Sequence, residues 1–207
     1  MAVELLKDQM FPQMLQVATQ RLANRDPLQL ARNANVQYDP AAQCFHLQVL
    51  GEEILLSWPD CVFTPDSSGW IKLQVLHYLD LADGTALTGT LLPFGQLRDG
   101  LIRGSGFDRK CEASIADLLR EISENEFRSR CAAMGGIQLK TNADYAVMLP
   151  FLPNYPLTLK VWFADDEFDA SGRMFVDGSA AHYLTVEDAV TIGEVILERL
   201  GGADYFG

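Results

Sequence analysis

Leu157-Thr158-Leu159-Lys160-Val161-Trp162-Phe163 is the stretch that decides the fold. Leu157, Leu159, Val161 and Phe163 alternate with Thr158, Lys160 and Trp162, and a period of two places each set on its own face of a β-strand. Tyr145 to Phe151 reads the same way. Between them Leu152-Pro153-Asn154-Tyr155-Pro156 has the composition of a turn. The two runs predict an antiparallel hairpin with one face in the core.

Working outward, Phe45, Leu47 and Val49 alternate with Cys44, His46 and Gln48, and Ile54 to Trp58 follows the turn residues Gly51-Glu52-Glu53. This predicts a meander. Elsewhere the apolar period lengthens to that of a helix. Trp70 to Asp83 is apolar on nearly every side, with Ile71, Val75, Tyr78, Leu79 and Ala82 on one stripe and Trp70, Leu73 and His77 roughly opposite, which predicts a buried central helix. Cys111, Ile115, Leu118, Leu119 and Ile122 form the stripe of an amphipathic helix, preceded by a glycine-rich connection from Gly95 to Gly106 and followed by a short helix from Glu126 to Met134. Val186, Ala189, Val190, Gly193, Ile196, Leu197 and Leu200 give an amphipathic C-terminal helix, opened by Thr185 and Asp188 in the spacing of a capping box. At the other end, a helix beginning at Pro12 and a second begun by Asp26-Pro27 predict a helical lid. Strands clustered at both ends of a set of helices indicate an α+β class. At 207 residues the expectation is a single domain, residues 1–34 packing on a core of residues 35–207.

The charge narrows the function. Sixteen Lys and Arg against 28 Asp and Glu leave a net charge of −12, which repels phosphate backbones and anionic membrane faces, so neither nucleic acid nor membrane is an expected partner. No apolar run reaches the length of a bilayer crossing, and Met1 to Lys7 lacks the features of a secretory leader. The expected location is cytoplasmic. Cys44, Cys61, Cys111 and Cys131 form no Cys-x-x-Cys pair, and in a reducing compartment they read as buried thiols.

Motifs for phosphate cradling and for a nucleophile elbow are missing: Gly104-Ser105-Gly106 has no third glycine in register, no Gly-Lys-Ser/Thr occurs, and Gly178-Ser179 lacks the flanking glycines. The densest polar feature is Trp162-Phe163-Ala164-Asp165-Asp166-Glu167-Phe168-Asp169, four carboxylates bracketed by aromatics. Oxygen clusters of this kind suit hard cations, but Ala170 and Val176 stand where an EF-hand needs glycine and glutamate. A solvated acidic turn explains the run equally. Downstream comes a second polar cluster, Asp177, His182, Tyr183 and Glu187, leading into the last helix. His77 sits one helical turn from Asp80, a spacing that permits a hydrogen-bonded pair.

The ordered set Leu76-His77-Tyr78-Leu79, Leu87-Thr88-Gly89, Pro93-Phe94-Gly95-Gln96-Leu97, Gly135-Gly136, Ala143-Asp144-Tyr145-Ala146, Leu149-Pro150 with Pro156-Leu157, Trp162 to Phe168, and Phe175-Val176-Asp177 leading to Tyr183-Leu184-Thr185-Val186-Glu187-Asp188 resembles an uncharacterised prokaryotic family catalogued as domain of unknown function 3786. The resemblance implies a setting in anaerobes, alone or beside iron–sulfur or corrinoid-associated proteins. It transfers no activity, cofactor or catalytic residue.

Taken together, these features lead to three expectations. The first is a small-molecule-binding or accessory domain in anaerobic redox or corrinoid metabolism, with a cleft of Trp162, Asp165, Asp166, Glu167, Phe168, His182, Glu187 and His77. Its physical motive is an aromatic platform and strand-end carboxylates meeting a helix N-terminus. The second is a metal-assisted hydrolase or transferase with Asp165, Asp166 or Glu167 as ligands and His182 as acid or base. The third is an interaction module anchored by Trp162 and its neighbours on a redox or corrinoid protein. All variants of a cleft require the acidic bend to lie beside the start of the last helix.

Overall fold

The computed structural model describes residues 2–206, with side chains from Phe11 onward. Met1 and the side chains of residues 2–10, on which the leader reading rested, lie outside the described residues.

The β-structure forms two open antiparallel sheets. The first is a meander in the order β1-β2-β3-β4, comprising β1 (Gln37–Asp39), β2 (Cys44–Val49), β3 (Glu52–Ser57) and β4 (Phe63–Thr64). Phe45, Leu47 and Val49 of β2 are buried and Cys44, His46 and Gln48 face outward, as the alternation requires. The second sheet contains β5 (Leu91–Leu92), β6 (Ile137–Leu139), β7 (Tyr145–Leu152), β8 (Tyr155–Trp162) and β9 (Ser171–Asp177), in the order β5-β9-β8-β7-β6.

The β7–β8 hairpin is the centre of that sheet. Leu157, Leu159 and Val161 are fully buried, each stabilising the fold by roughly 1.5–3 kcal/mol. Ala146, Leu152 and Thr158 are buried as well, so the hairpin is covered on more than the one face expected. β9, unmarked in the sequence reading, pairs with β8 from Trp162↔Ser171 to Leu157↔Val176. Its weak signal has a cause: Gly172 stands at an inward position and Phe175 at an outward one, which blurs the alternation, and a Cβ at Gly172 would sit 2.5 Å from Ile115.

Among the described residues there are six α-helices: α1 (Ala2–Leu22), α2 (Pro27–Ala34), α3 (Gly69–Leu81), α4 (Arg103–Glu121), α5 (Glu124–Ala133) and α6 (Val186–Leu200). α1 begins well before Pro12, which lies inside it. α2 opens on Asp26, whose carboxylate accepts from the Leu28 amide, with Pro27 at its first position. α3 is the expected central helix, buried at Ile71, Leu73, Gln74, Val75, Leu76, Tyr78 and Leu79 and packed against α1, α2 and α6. The capping box of α6 is complete: Thr185 Oγ1 accepts from the Asp188 amide, and the Asp188 side chain accepts from the Thr185 amide. With six helices and antiparallel sheets of four and five strands, the fold is α+β.

The glycine-rich stretch is the main local revision. α4 starts at Arg103 and runs through Gly104, Ser105 and Gly106, which periodicity left as a connection. Packing overrides the poor helix propensity of glycine here, because Gly104 meets the backbone of Phe94 and Gly95 so closely that a Cβ would lie 2.2 Å from the Phe94 carbonyl. Asp108 secures the same contact by accepting from the amides of Phe94 (3.0 Å) and Gly95 (2.9 Å). Gly106, one half-turn on, has open space around it. Gly104→Ala is therefore expected to destabilise by about 1–3 kcal/mol through overpacking, and Gly106→Ala to stabilise by about 0.5–1 kcal/mol through helix propensity. Urea unfolding of the two variants reads both signs.

Candidate functional site

The acidic bend is a hairpin loop between β8 and β9, and residues 164–169 are all exposed. Its shape is local: Asp165 Oδ1 accepts from the amides of Glu167 and Phe168, both at 2.8 Å, and the Asp165 amide donates to the Phe168 carbonyl at 3.0 Å. Those backbone bonds hold the Asp165 carboxyl below its ordinary value. Trp162 pairs with Ser171 at the loop end of β9, whereas Leu91 pairs with Asp177 at the other end. Six residues of strand separate the ends, roughly 20 Å. The expected union of Trp162, Asp165, Asp166, Glu167 and Phe168 with His182, Glu187 and His77 is thus not formed, because β9 intervenes. Among the described residues no three His, Cys, Asp or Glu side chains gather as a metal ion requires.

What assembles instead lies at the far end of β9. Asp177 is buried, and its carboxylate accepts five hydrogen bonds, from the Thr88 amide (2.9 Å) and hydroxyl (3.0 Å), the Gly89 amide (2.8 Å), and the Ser179 amide (2.9 Å) and hydroxyl (2.8 Å). Burial pushes its pKa up, but the donors from Thr88 and Ser179 outweigh it and the net direction is down. This ties the loop after α3 to the start of the 180s. Tyr183 strengthens the tie by donating to the Thr85 carbonyl, accepting from Asn154 Nδ2 (2.9 Å) and stacking on Tyr78 with ring centroids 5.5 Å apart.

The result is a meeting of residues distant in sequence. His182 Nδ1 lies 2.8 Å from Asp83 Oδ2 and 3.2 Å from Thr85 Oγ1. Hydrogen bonds from Thr85, then from His182, pull the Asp83 carboxyl down to about 2. The pair stands on the wall of a groove of about 550 Å³, lined also by Leu81, Leu97, Arg98, Asp99 and the α6 start, Thr185 and Val186.

His77 belongs to a different wall. Its Nδ1 is 2.7 Å from Asp188 Oδ1, and Asp188 Oδ2 accepts from the Thr185 hydroxyl at 2.7 Å. Burial raises the Asp188 pKa, yet the bonds from His77 and Thr185 bring it below the ordinary value. The expected partner of His77, Asp80, is engaged by Arg21 (2.8 Å) and Arg25 (3.0 Å) of the N-terminal helix and its exit. Glu187 pairs with Arg103 at 3.0 Å. Of the predicted residues, His182, Glu187 and His77 surround the α6 start, and the acidic group does not.

The sequence pattern of the family described as Domain of unknown function (DUF3786) matches residues 26–199. The chain belongs to that family. No curated protein and no solved structure matches it. In this DUF3786 chain, as described, no helix is long and apolar enough to cross a membrane. The thiols are free: Cys111 and Cys131 are buried and pushed up to about 12 by that burial, while Cys44 and Cys61 are only half-buried.

Asp83 and Thr85 carry no signal in the sequence that marks them as functional groups, whereas Asp177 belongs to the polar cluster around His182. Asp83-Gly84-Thr85 was visible as a helix stop, but nothing local tells that it meets His182. Asp83, Asp177 and Asp188 all lie below their ordinary value in the fold, so the stabilisation they give is present above about pH 4 and is lost as pH falls through their folded values. Asp177→Asn keeps one acceptor oxygen for the Thr88 and Ser179 donors, but it removes the charge and sets an NH2 group against the Gly89 amide. It is expected to cost about 2–4 kcal/mol at pH 7 and to flatten the acid limb of the stability curve; urea midpoints at pH 7 and 3.5 measure both.

Proposed function

We propose that this chain is a small-molecule-binding domain whose ligand occupies the His182 groove. The observation that carries the reading is the 2.8 Å junction of His182 and Asp83, 99 positions apart, on the wall of a cavity large enough for a metabolite. With Nδ1 engaged by Asp83 and Thr85, Nε2 is the ring nitrogen left for a ligand, and it donates to an anion when the ring carries both protons. The Asp188 amide of α6 is met by Thr185, whereas the Val186 and Glu187 amides of the first turn have no intrahelical acceptor and favour an anionic or acceptor group; Arg98 adds a cation on the same rim, 3.8 Å from Asp99. A small carboxylate or phosphate ester fits this chemistry best. The accessory role in anaerobic redox or corrinoid metabolism is the biological context we attach to the site, supported by the resemblance of the ordered motifs.

Native mass spectrometry of protein purified without oxygen is expected to reveal a retained small molecule. His182→Ala should lower its occupancy at least roughly tenfold, the worth of one charge-assisted hydrogen bond. The melting temperature should hardly move, because the His182–Asp83 pair is half-exposed. A His182→Ala protein that keeps its ligand in full would sink the assignment.

One observation favours a second reading, a docking module. Phe168 is 70% exposed at the tip of the four-carboxylate loop, an arrangement suited to a basic partner surface with an apolar pocket. Phe168→Ala is expected to abolish capture of such a partner from an anaerobic lysate while leaving thermal unfolding unchanged.

A further inference from the structure

The outer face of the meander sheet gathers a thiol, an imidazole and a carboxylate. Cys44 and His46 stand two apart on β2, and a period of two sends both side chains to the same face. There Cys44 Sγ lies 3.6 Å from His46 Nε2, within the range of a sulfur hydrogen bond. The other ring nitrogen is answered from β3. His46 is directly opposite Leu55, so Glu53 is its diagonal neighbour, and a long side chain spans that diagonal. Glu53 Oε1 is 3.6 Å from His46 Nδ1.

A carboxylate only accepts, so Glu53 favours the ring tautomer with its proton on Nδ1 and leaves Nε2 as the acceptor of the Cys44 S–H. When that proton crosses to Nε2 the pair becomes thiolate and imidazolium, and Glu53 then faces a full positive charge. Nδ1–H faces Glu53 in both states, so the transfer needs no reorientation of the ring. A nucleophile beside a base, with a third group behind the base, is the arrangement that activates a thiol.

Burial pushes the other thiols up, Cys61 to about 11 and Cys111 and Cys131 to about 12. Cys44 is half-buried, while His46 is 35% and Glu53 63% exposed, so a reagent reaches the cluster from solvent. The charge around it is negative. Asp39 of β1 pairs in register with Cys44 and is fixed by the Ala41 and Ala42 amides, and Glu53 approaches from β3 on the other side. Two carboxylates thus flank the pair on a chain of net charge −12, which draws in cations and repels anions.

We propose that Cys44 is a reactive thiol that exchanges with small cationic disulfides, with His46 as its base and Glu53 positioning the ring. Cys44 Sγ gives its proton to His46 Nε2 and attacks one sulfur of the disulfide. A new S–S bond forms to Cys44 as the old one breaks, and the electron pair leaves with the departing sulfur, which takes the proton from Nε2. The protein thiol is oxidised, the departing sulfur is reduced, and the disulfide is the only oxidant required. The site lies on the meander sheet and stands independently of the His182 groove.

The test treats the fully reduced chain at pH 7 with cystamine, a dication, or dithiodiglycolate, a dianion, and follows each thiol by peptide mass mapping. Cystamine is expected to label Cys44 at least roughly tenfold faster than it labels Cys61, Cys111 or Cys131, and at least roughly tenfold faster than dithiodiglycolate labels Cys44. His46→Gln should slow labelling of Cys44 by roughly tenfold or more at pH 7, and the gap should narrow at about pH 9.5, where a thiol ionises unaided. Glu53→Gln should reduce the preference for cystamine over dithiodiglycolate. Labelling of Cys44 no faster than of the other thiols, or equal rates with the two disulfides, would overturn the proposal. So would a His46→Gln protein that matches the parent at pH 7 or keeps its full deficit at the higher pH. The first two comparisons use the parent protein alone, so they decide the matter even if His46→Gln does not fold.

Discussion

A carboxylate withdrawn from water must be met by donors, and the segment between Asp177 and Asp188 is folded around that requirement at both ends. Five donors from Thr88, Gly89 and Ser179 converge on Asp177. They can do so only if the loop that leaves α3 lies along the end of β9. That placement carries Asp83 and Thr85 to His182 as a by-product. At the other end Asp188 is satisfied by His77 of α3 and by Thr185 of its own helix cap, so the same segment is stitched to the central helix. The His182 groove, of about 550 Å³, and a smaller hollow of about 310 Å³ over α3 both have Thr185 on their wall.

Behind the polar layer stands an aromatic one. Tyr78 and Tyr183 stack, and their hydroxyls are spent on the Ala34 and Thr85 carbonyls, while Asn154 in the β7–β8 turn donates to both oxygens. This network connects the central hairpin, the central helix and the loop bearing Asp83. A side chain on the groove wall is positioned by several elements at once, which limits its freedom more than a loop alone would. The acidic bend is the opposite case. Its geometry comes from Asp165 and two neighbouring amides, and residues 164–169 are exposed.

Local periodicity revealed much of this protein. The alternation at Leu157, Leu159 and Val161, the all-round apolar character of Ile71 to Leu79, and the Thr185–Asp188 cap are properties of short windows, since a strand buries every second residue and a helix end needs a side-chain acceptor wherever it lies. The readings that failed depended on neighbours remote in sequence. The helical start at Arg103 rests on a close approach to Phe94, and β9 is a strand because β8 and β5 flank it, despite a glycine and two charged residues.

The amino-acid sequence by itself determined the α+β class, most element positions, the buried central helix and the candidate histidines. Tertiary structure alone decided which carboxylate each histidine meets. Asp80 is near His77 along the helix but is taken by two arginines, so Asp188, 111 positions away, becomes its partner. Helix and strand periods are set within a few residues, whereas the pairing of charges is settled by which groups are buried together once the chain has closed.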